Sequence, residues 1–159
     1  MSRKHCYLFV LEVVPLQVGA VYDELPLHCT LMHRFWSELS AVELAGKVKP
    51  LFDVTPPVVL ATYKRTLLGP KQLAVSLLEL TGELDSLNMQ LYALLNELGV
   101  EYTASQWVGK GHVFHVTDRE SKRLEIGSKQ TCAAVYLIEV KVPGYDHQRF
   151  VRVKFDLAE

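Results

Sequence analysis

Most apolar runs in this chain are short, rich in β-branched and aromatic residues, and fenced by turn residues, and that punctuation narrows the fold more than any other feature. Residues 4–14, 26–33, 58–66, 72–80, 112–118, 131–142 and 149–157 all read as strands, with a short one at 100–104. Gly69-Pro70 separates 58–66 from 72–80 as in a hairpin, and Pro143-Gly144-Tyr145-Asp146 supplies the turn between the last two strands. Residues 15–24, with Pro15 and Gly19, read as a loop. Hairpins dominate and βαβ alternation is absent, so the class expected is α+β with mainly antiparallel sheet.

Two segments carry a helical signal instead. Ser40 and Glu43 have capping-box spacing before Ala41 to about Lys49, and Pro50 is expected to end or kink that helix. The second helix opens at Thr81 or Gly82, has Glu83 and Asp85 in its first turn, and closes at Gly99. Leu84, Leu87, Leu91, Leu94, Leu95 and Leu98 fall on one face at helical spacing and read as core. No low-complexity linker interrupts residues 1–159, so one domain is expected.

The balance of charge argues against a general nucleic-acid binder. Of 159 residues, 49% are apolar and 22% charged, with a net charge of -1. A binder of extended duplex normally shows a basic excess, whereas a small nucleotide needs only a local positive site. No run is long and apolar enough to span a membrane. The apolar run 7–14 near the start is interrupted by Glu12 and reads as a first strand rather than a signal peptide. Cys6, Cys29 and Cys132 are odd in number and widely spaced, which fits buried thiols in a reducing cytoplasm. A monomer is the default expectation.

Against that background two runs stand out: Leu25 to Phe35, LPLHCTLMHRF, and Gly111 to Thr117, GHVFHVT. Each embeds His-x-Thr in a strand-like segment. Residues i and i+2 of a strand share a face, so His28 points with Thr30 and His115 with Thr117, while Cys29 and Val116 point the other way. Cys29 is therefore a core thiol and not a nucleophile activated by His28. Two imidazoles across a cleft suit phosphodiester cleavage or cyclic-phosphate hydrolysis. One removes a proton from the attacking water or hydroxyl and the other protonates the leaving oxygen, as a side chain titrating near neutrality can do. Two threonine hydroxyls can donate to non-bridging phosphate oxygens as charge builds there. The scheme requires no metal and no cofactor.

The segments Leu27-His28-Cys29-Thr30-Leu31 and Phe114-His115-Val116-Thr117 resemble the signature of the 2H phosphoesterase superfamily. That group includes bacterial 2'-5' RNA ligase-like proteins and cyclic phosphodiesterases. The resemblance covers most of the chain: its size, strand placement, the proline before the first motif, and the glycine-containing approach 107–111 to the second. It implies two pseudo-symmetric lobes with helices packed outside and a central cleft. It also implies catalytic roles for His28, Thr30, His115 and Thr117, with His115 as base and His28 as acid in cyclic-phosphate hydrolysis, reversed for a ligase-like reaction. The substrate implied is a nucleotide or RNA end with a 2',3'-cyclic phosphate or a 2'-5' linkage. Asp118 departs from the family pattern, which has an apolar residue after the second threonine.

Trp107 and Tyr102 are candidate stacking groups for a base, and Arg34, Lys110 and Arg119 candidate phosphate contacts. Phe114 reads as core. His33 and His112 read as structural histidines, His5 and His147 as surface or turn residues, and 109–111 as a mobile approach loop without Walker spacing. His112 and His115 cannot share a strand face, and no cysteine or histidine motif supports a zinc site. Two rival functions stand beside the first: degradation of a cyclic oligonucleotide signal, as in some phage proteins of this type, and a non-catalytic module that grips a nucleotide or RNA phosphate.

Overall fold

The segment Cys6–Leu11 is apolar at every position, and in the computed structural model it forms the middle of a strand covered on both faces. The structure describes residues 4–119, 122–142 and 147–158; the turn expected at 143–146 lies outside them. Strand β1 (His5–Glu12) pairs antiparallel with β3 (His28–Ser37) on one side and β9 (Ala134–Val140) on the other. Tyr7, Phe9 and Leu11 face one buried cluster, and Cys6, Leu8 and Val10 face a second. Strand β9 is likewise buried at every position. Its one charged residue, Glu139, accepts from Arg152 Nε at 2.9 Å and lies 3.0 Å from His5 Nδ1, as a buried carboxylate requires.

Among the described residues the strand order is β2-β10-β9-β1-β3-β7-β5-β4-β8, with β6 (Glu101–Tyr102) also on β3. Here β2 is Val21–Tyr22, β4 Val58–Leu68, β5 Leu73–Leu78, β7 His115–Thr117, β8 Lys129–Cys132 and β10 Arg149–Asp156. Every pairing is antiparallel. The fold is α+β in two lobes, one ending at β3 and the other starting at β7. Their sheet halves meet at the pairing of Cys29 with Val116, and one hydrophobic core runs beneath both.

Helix α1 (Ala41–Asp53) starts on the expected capping box: Ser40 Oγ accepts from Glu43 N at 3.2 Å, and Glu43 Oε1 accepts from Ser40 N at 3.1 Å. It runs through Pro50 to Asp53 instead of ending there. Pro50 forfeits one helical hydrogen bond, and the helix is carried past it by Phe52, which is buried with ring centroids 5.9 Å from Phe9 and 4.9 Å from Phe155. Helix α2 (Gly82–Glu97) is capped by Thr81 Oγ1, which accepts from Leu84 N, and buries Leu84, Leu87, Leu91 and Leu95. Buried Asn88 donates to Leu31 O at 2.9 Å and ties α2 to β3.

Four expectations change in detail. The 15–24 segment contains β2, held by Arg149 and Phe150 of β10. β3 continues four residues past His33, to Ser37. The 131–142 segment breaks at Ala133, because β8 pairs with β4 while β9 pairs with β1 and β10. The 109–111 turn is closely packed: a Cβ on Gly111 would lie 2.0 Å from Gln106 O, and one on Gly109 3.2 Å from the Tyr92 ring.

Candidate active site

Strand alternation, carried through the register of β3 against β7, brings the two motifs together. Cys29 is opposite Val116 in an antiparallel pair, so His28 falls opposite Thr117 and Thr30 opposite His115. Cys29 and Val116 are buried in the core beneath, and burial raises the Cys29 thiol pKa. The four remaining side chains share the opposite, cleft face. His28 and His115 are then diagonal neighbours across the pair, ~7–8 Å apart, a span that one phosphate can bridge.

The two imidazoles are held alike. His28 Nδ1 lies 2.8 Å from Pro26 O, and His115 Nδ1 lies 2.9 Å from Val113 O, each the carbonyl two residues back. A carbonyl oxygen only accepts, so in both rings Nδ1–H donates and Nε2 is left to meet a ligand. Burial holds His28 neutral, its pKa pushed down to about 4, with Arg119, His115 and Arg149 adding in the same direction and the Pro26 carbonyl opposing.

A third histidine belongs to the cleft. The β1–β3 register shifts between Val10↔Thr30 and Phe9↔Met32, and again before Tyr7↔Phe35. These irregularities break strict alternation and leave His33 lining the cavities on both sides of the β3–β7 junction. Burial, His112 and His115 push its pKa down to about 4. His112 stands outside β7: Nε2–H donates to Thr30 O at 2.9 Å, and the ring lies edge-on to His33 and Phe114, at 5.4 Å and 4.5 Å. It is a partly buried structural residue, burial lowering its pKa while the Thr30 and Trp107 backbone carbonyls oppose.

The two halves of the cleft differ in chemistry. Beside His28 and Thr30 a cavity of ≈ 230 Å³ is lined by Arg34, Arg119 and Arg149, with Asp23 and Glu24. Beside His115 and Thr117 a cavity of ≈ 210 Å³ is lined by Leu68, Pro70, Leu73, Trp107 and Val113. Of the binding candidates, Trp107, Arg34 and Arg119 reach the cleft. Tyr102 does not: it packs against Phe35 and Tyr92 and donates to Asn96 Oδ1, because β6 pairs with the far end of β3. Lys110 lies exposed on the turn beside α2 and lines neither cavity. Arg149 is an addition, since its strand position gave no cue that it faces the cleft.

Asp118 is accounted for by Arg65, which donates to both carboxylate oxygens, at 2.5 Å and 3.1 Å, and to Ser76 Oγ at 2.9 Å. The polar residue after Thr117 thereby locks β7 to β4. Among the described residues no group of three or more His, Cys, Asp or Glu is arranged to hold a metal ion, and no helix is long and apolar enough to cross a membrane.

The chain has the 2H phosphoesterase fold. Solved structures similar to it include a phosphoesterase (TM-score 0.63, 12% identity, 98% of this chain and 99% of the other) and E. coli LigT. LigT complexed with NADP+ aligns with TM-score 0.61 at 13% identity, and LigT complexed with 3'-AMP with 0.59 at 11%. Both cover 99% of this chain and 100% of theirs. The sequence itself matches no family model and no curated protein.

Proposed function

We propose that this protein is a phosphodiesterase in which His28 and His115 transfer the protons and Thr30 and Thr117 hydrogen-bond the phosphate, with no metal in the reaction. The observation that carries this reading is the Cys29↔Val116 register, which sets two imidazoles and two hydroxyls on one cleft face. The substrate is a nucleotide or RNA end with a 2',3'-cyclic phosphate or a 2'-5' phosphodiester. Support for a nucleotide comes from the 3'-AMP and NADP+ complexes of LigT and from the exposed Trp107 beside His115. The matched Nδ1 anchoring of the two histidines also supports reading 1–159 as one domain of two pseudo-symmetric lobes.

In hydrolysis His115 Nε2 takes a proton from water as the oxygen attacks phosphorus. The bond from phosphorus to the ribose oxygen breaks, and His28 protonates that oxygen. The neutral state of His28 sets a condition: the substrate's negative charge must lift its pKa before it can act as acid. A panel of 2',3'-cyclic mononucleotides, 2'-5' dinucleotides and cyclic dinucleotides tests the assignment. Turnover of either of the first two classes supports it. Turnover confined to cyclic dinucleotides points to signal degradation, and binding without turnover of any member refutes catalysis.

A further inference from the structure

We infer that the half of the cleft beside His28 is a binding site for a second phosphate, so that the preferred substrate carries a phosphate besides the ester being cleaved. The inference rests on the phosphodiesterase reading above. Three guanidinium groups from three separate elements converge on one cavity: Arg34 from β3, Arg119 from just beyond β7 and Arg149 from the start of β10. Arg34 is four residues beyond Thr30, ~13 Å of strand, although the irregular register shortens that reach. Arg149 lies three strands from β3 in the order β10-β9-β1-β3, ~14 Å across the sheet. Both are therefore rooted in the outer wall and not under the ester that must touch His28 and His115 together.

Charge points the same way. Arg119 is fixed by Glu24 Oε1 at 2.9 Å and Leu25 O at 2.8 Å. Asp23, the other carboxylate on the cavity, accepts from Gln148 Nε2 at 3.0 Å and lies 3.8 Å from His147. Arg149 is partly buried, and its charged form is disfavoured by that burial and by Arg34 and Arg119 beside it. An anion between the guanidinium groups relieves this repulsion, and their planar donor forks match phosphate oxygens. The other half of the cleft is mostly apolar. The substrate is thus directional, with its base toward Trp107 and its additional phosphate toward Arg34 and Arg149.

The test compares three substrates: a nucleoside 2',3'-cyclic phosphate, the same compound with a 5'-phosphate, and a dinucleotide ending in the cyclic phosphate. The second or third should exceed the first at least tenfold in kcat/KM, mainly through KM. A preference for the second identifies a terminal phosphate and for the third a backbone diester. In Arg149→Gln and Arg34→Gln that ratio should fall toward one, while Lys154→Gln, a charge removed elsewhere on β10, keeps it. Equal kcat/KM for all three substrates in the unmodified protein overturns the inference, as does a ratio unchanged in both arginine variants. Should none turn over, the phosphodiesterase reading fails and calorimetry decides the site by itself. A nucleoside 3',5'-bisphosphate should bind at least tenfold more tightly than the 3'-monophosphate, an advantage lost in Arg149→Gln. Equal affinities would reject the second site.

Discussion

Acidification should unfold this protein partly through His28, and the size of the effect follows from its burial. An unfolded-chain histidine titrates near 6.5, whereas His28 in the folded chain stays neutral until about 4. Between those values the unfolded state binds more protons, so stability falls as pH falls: the contribution is intact above 6.5 and lost as pH drops toward 4. At pH ~5 the loss from this one group is about 2 kcal/mol, and its limit below pH 4 is about 3 kcal/mol. His28→Gln removes the titration and keeps a polar side chain. Urea unfolding of both proteins at pH ~7.5 and ~5, without phosphate or sulfate, measures it. The unmodified protein should lose about 2 kcal/mol more than the variant between the two conditions. Equal losses would show that His28 is not held neutral, and would remove the reason for expecting the substrate to lift its pKa.

Other outcomes follow from the same geometry. The rate should be bell-shaped in pH, both limbs belonging to the coupled histidine pair, and a chelator should leave it unchanged; a flat profile or inhibition by chelation contradicts the proton-transfer scheme. Thr30→Val should cost less turnover than loss of either histidine, since it deletes one hydrogen bond and leaves both proton transfers, as steady-state kinetics will show. Trp107→Ala should raise KM for nucleotides about tenfold with little change in kcat, because base stacking is worth roughly 1–3 kcal/mol. Gly111→Ala should destabilise by roughly 1–3 kcal/mol in denaturant titration, because the new methyl meets the Gln106 carbonyl.

The helices and most strands were legible because their signals are local. The Ser40–Glu43 box and the leucine face of α2 each lie within one element, and the alternation that separates His28 and Thr30 from Cys29 needs only three residues. What escaped depends on partners far along the chain. His33 is brought to the cleft by a register irregularity against β1. Arg149 faces the cleft because β10 pairs with β2 and β9. Tyr102 reads as a stacking residue but packs against Tyr92 and Phe35 at the edge of the core. The expected strand at 112–118 shrinks to three residues because His112 leaves it to bond the Thr30 carbonyl. Pro50 marks an end or kink by local rule, and packing of Phe52 carries α1 past it to Asp53.

The central claim is that His28 and His115 act on one phosphate, and a double-mutant comparison tests it most directly. Turnover of a 2',3'-cyclic nucleotide should fall roughly 10²–10⁴-fold in His28→Ala and in His115→Ala. The double variant should lose little beyond the worse single one, because the residues act as a unit. Circular dichroism should show all three variants folded at neutral pH. Turnover near the unmodified rate in either folded single variant would contradict the account.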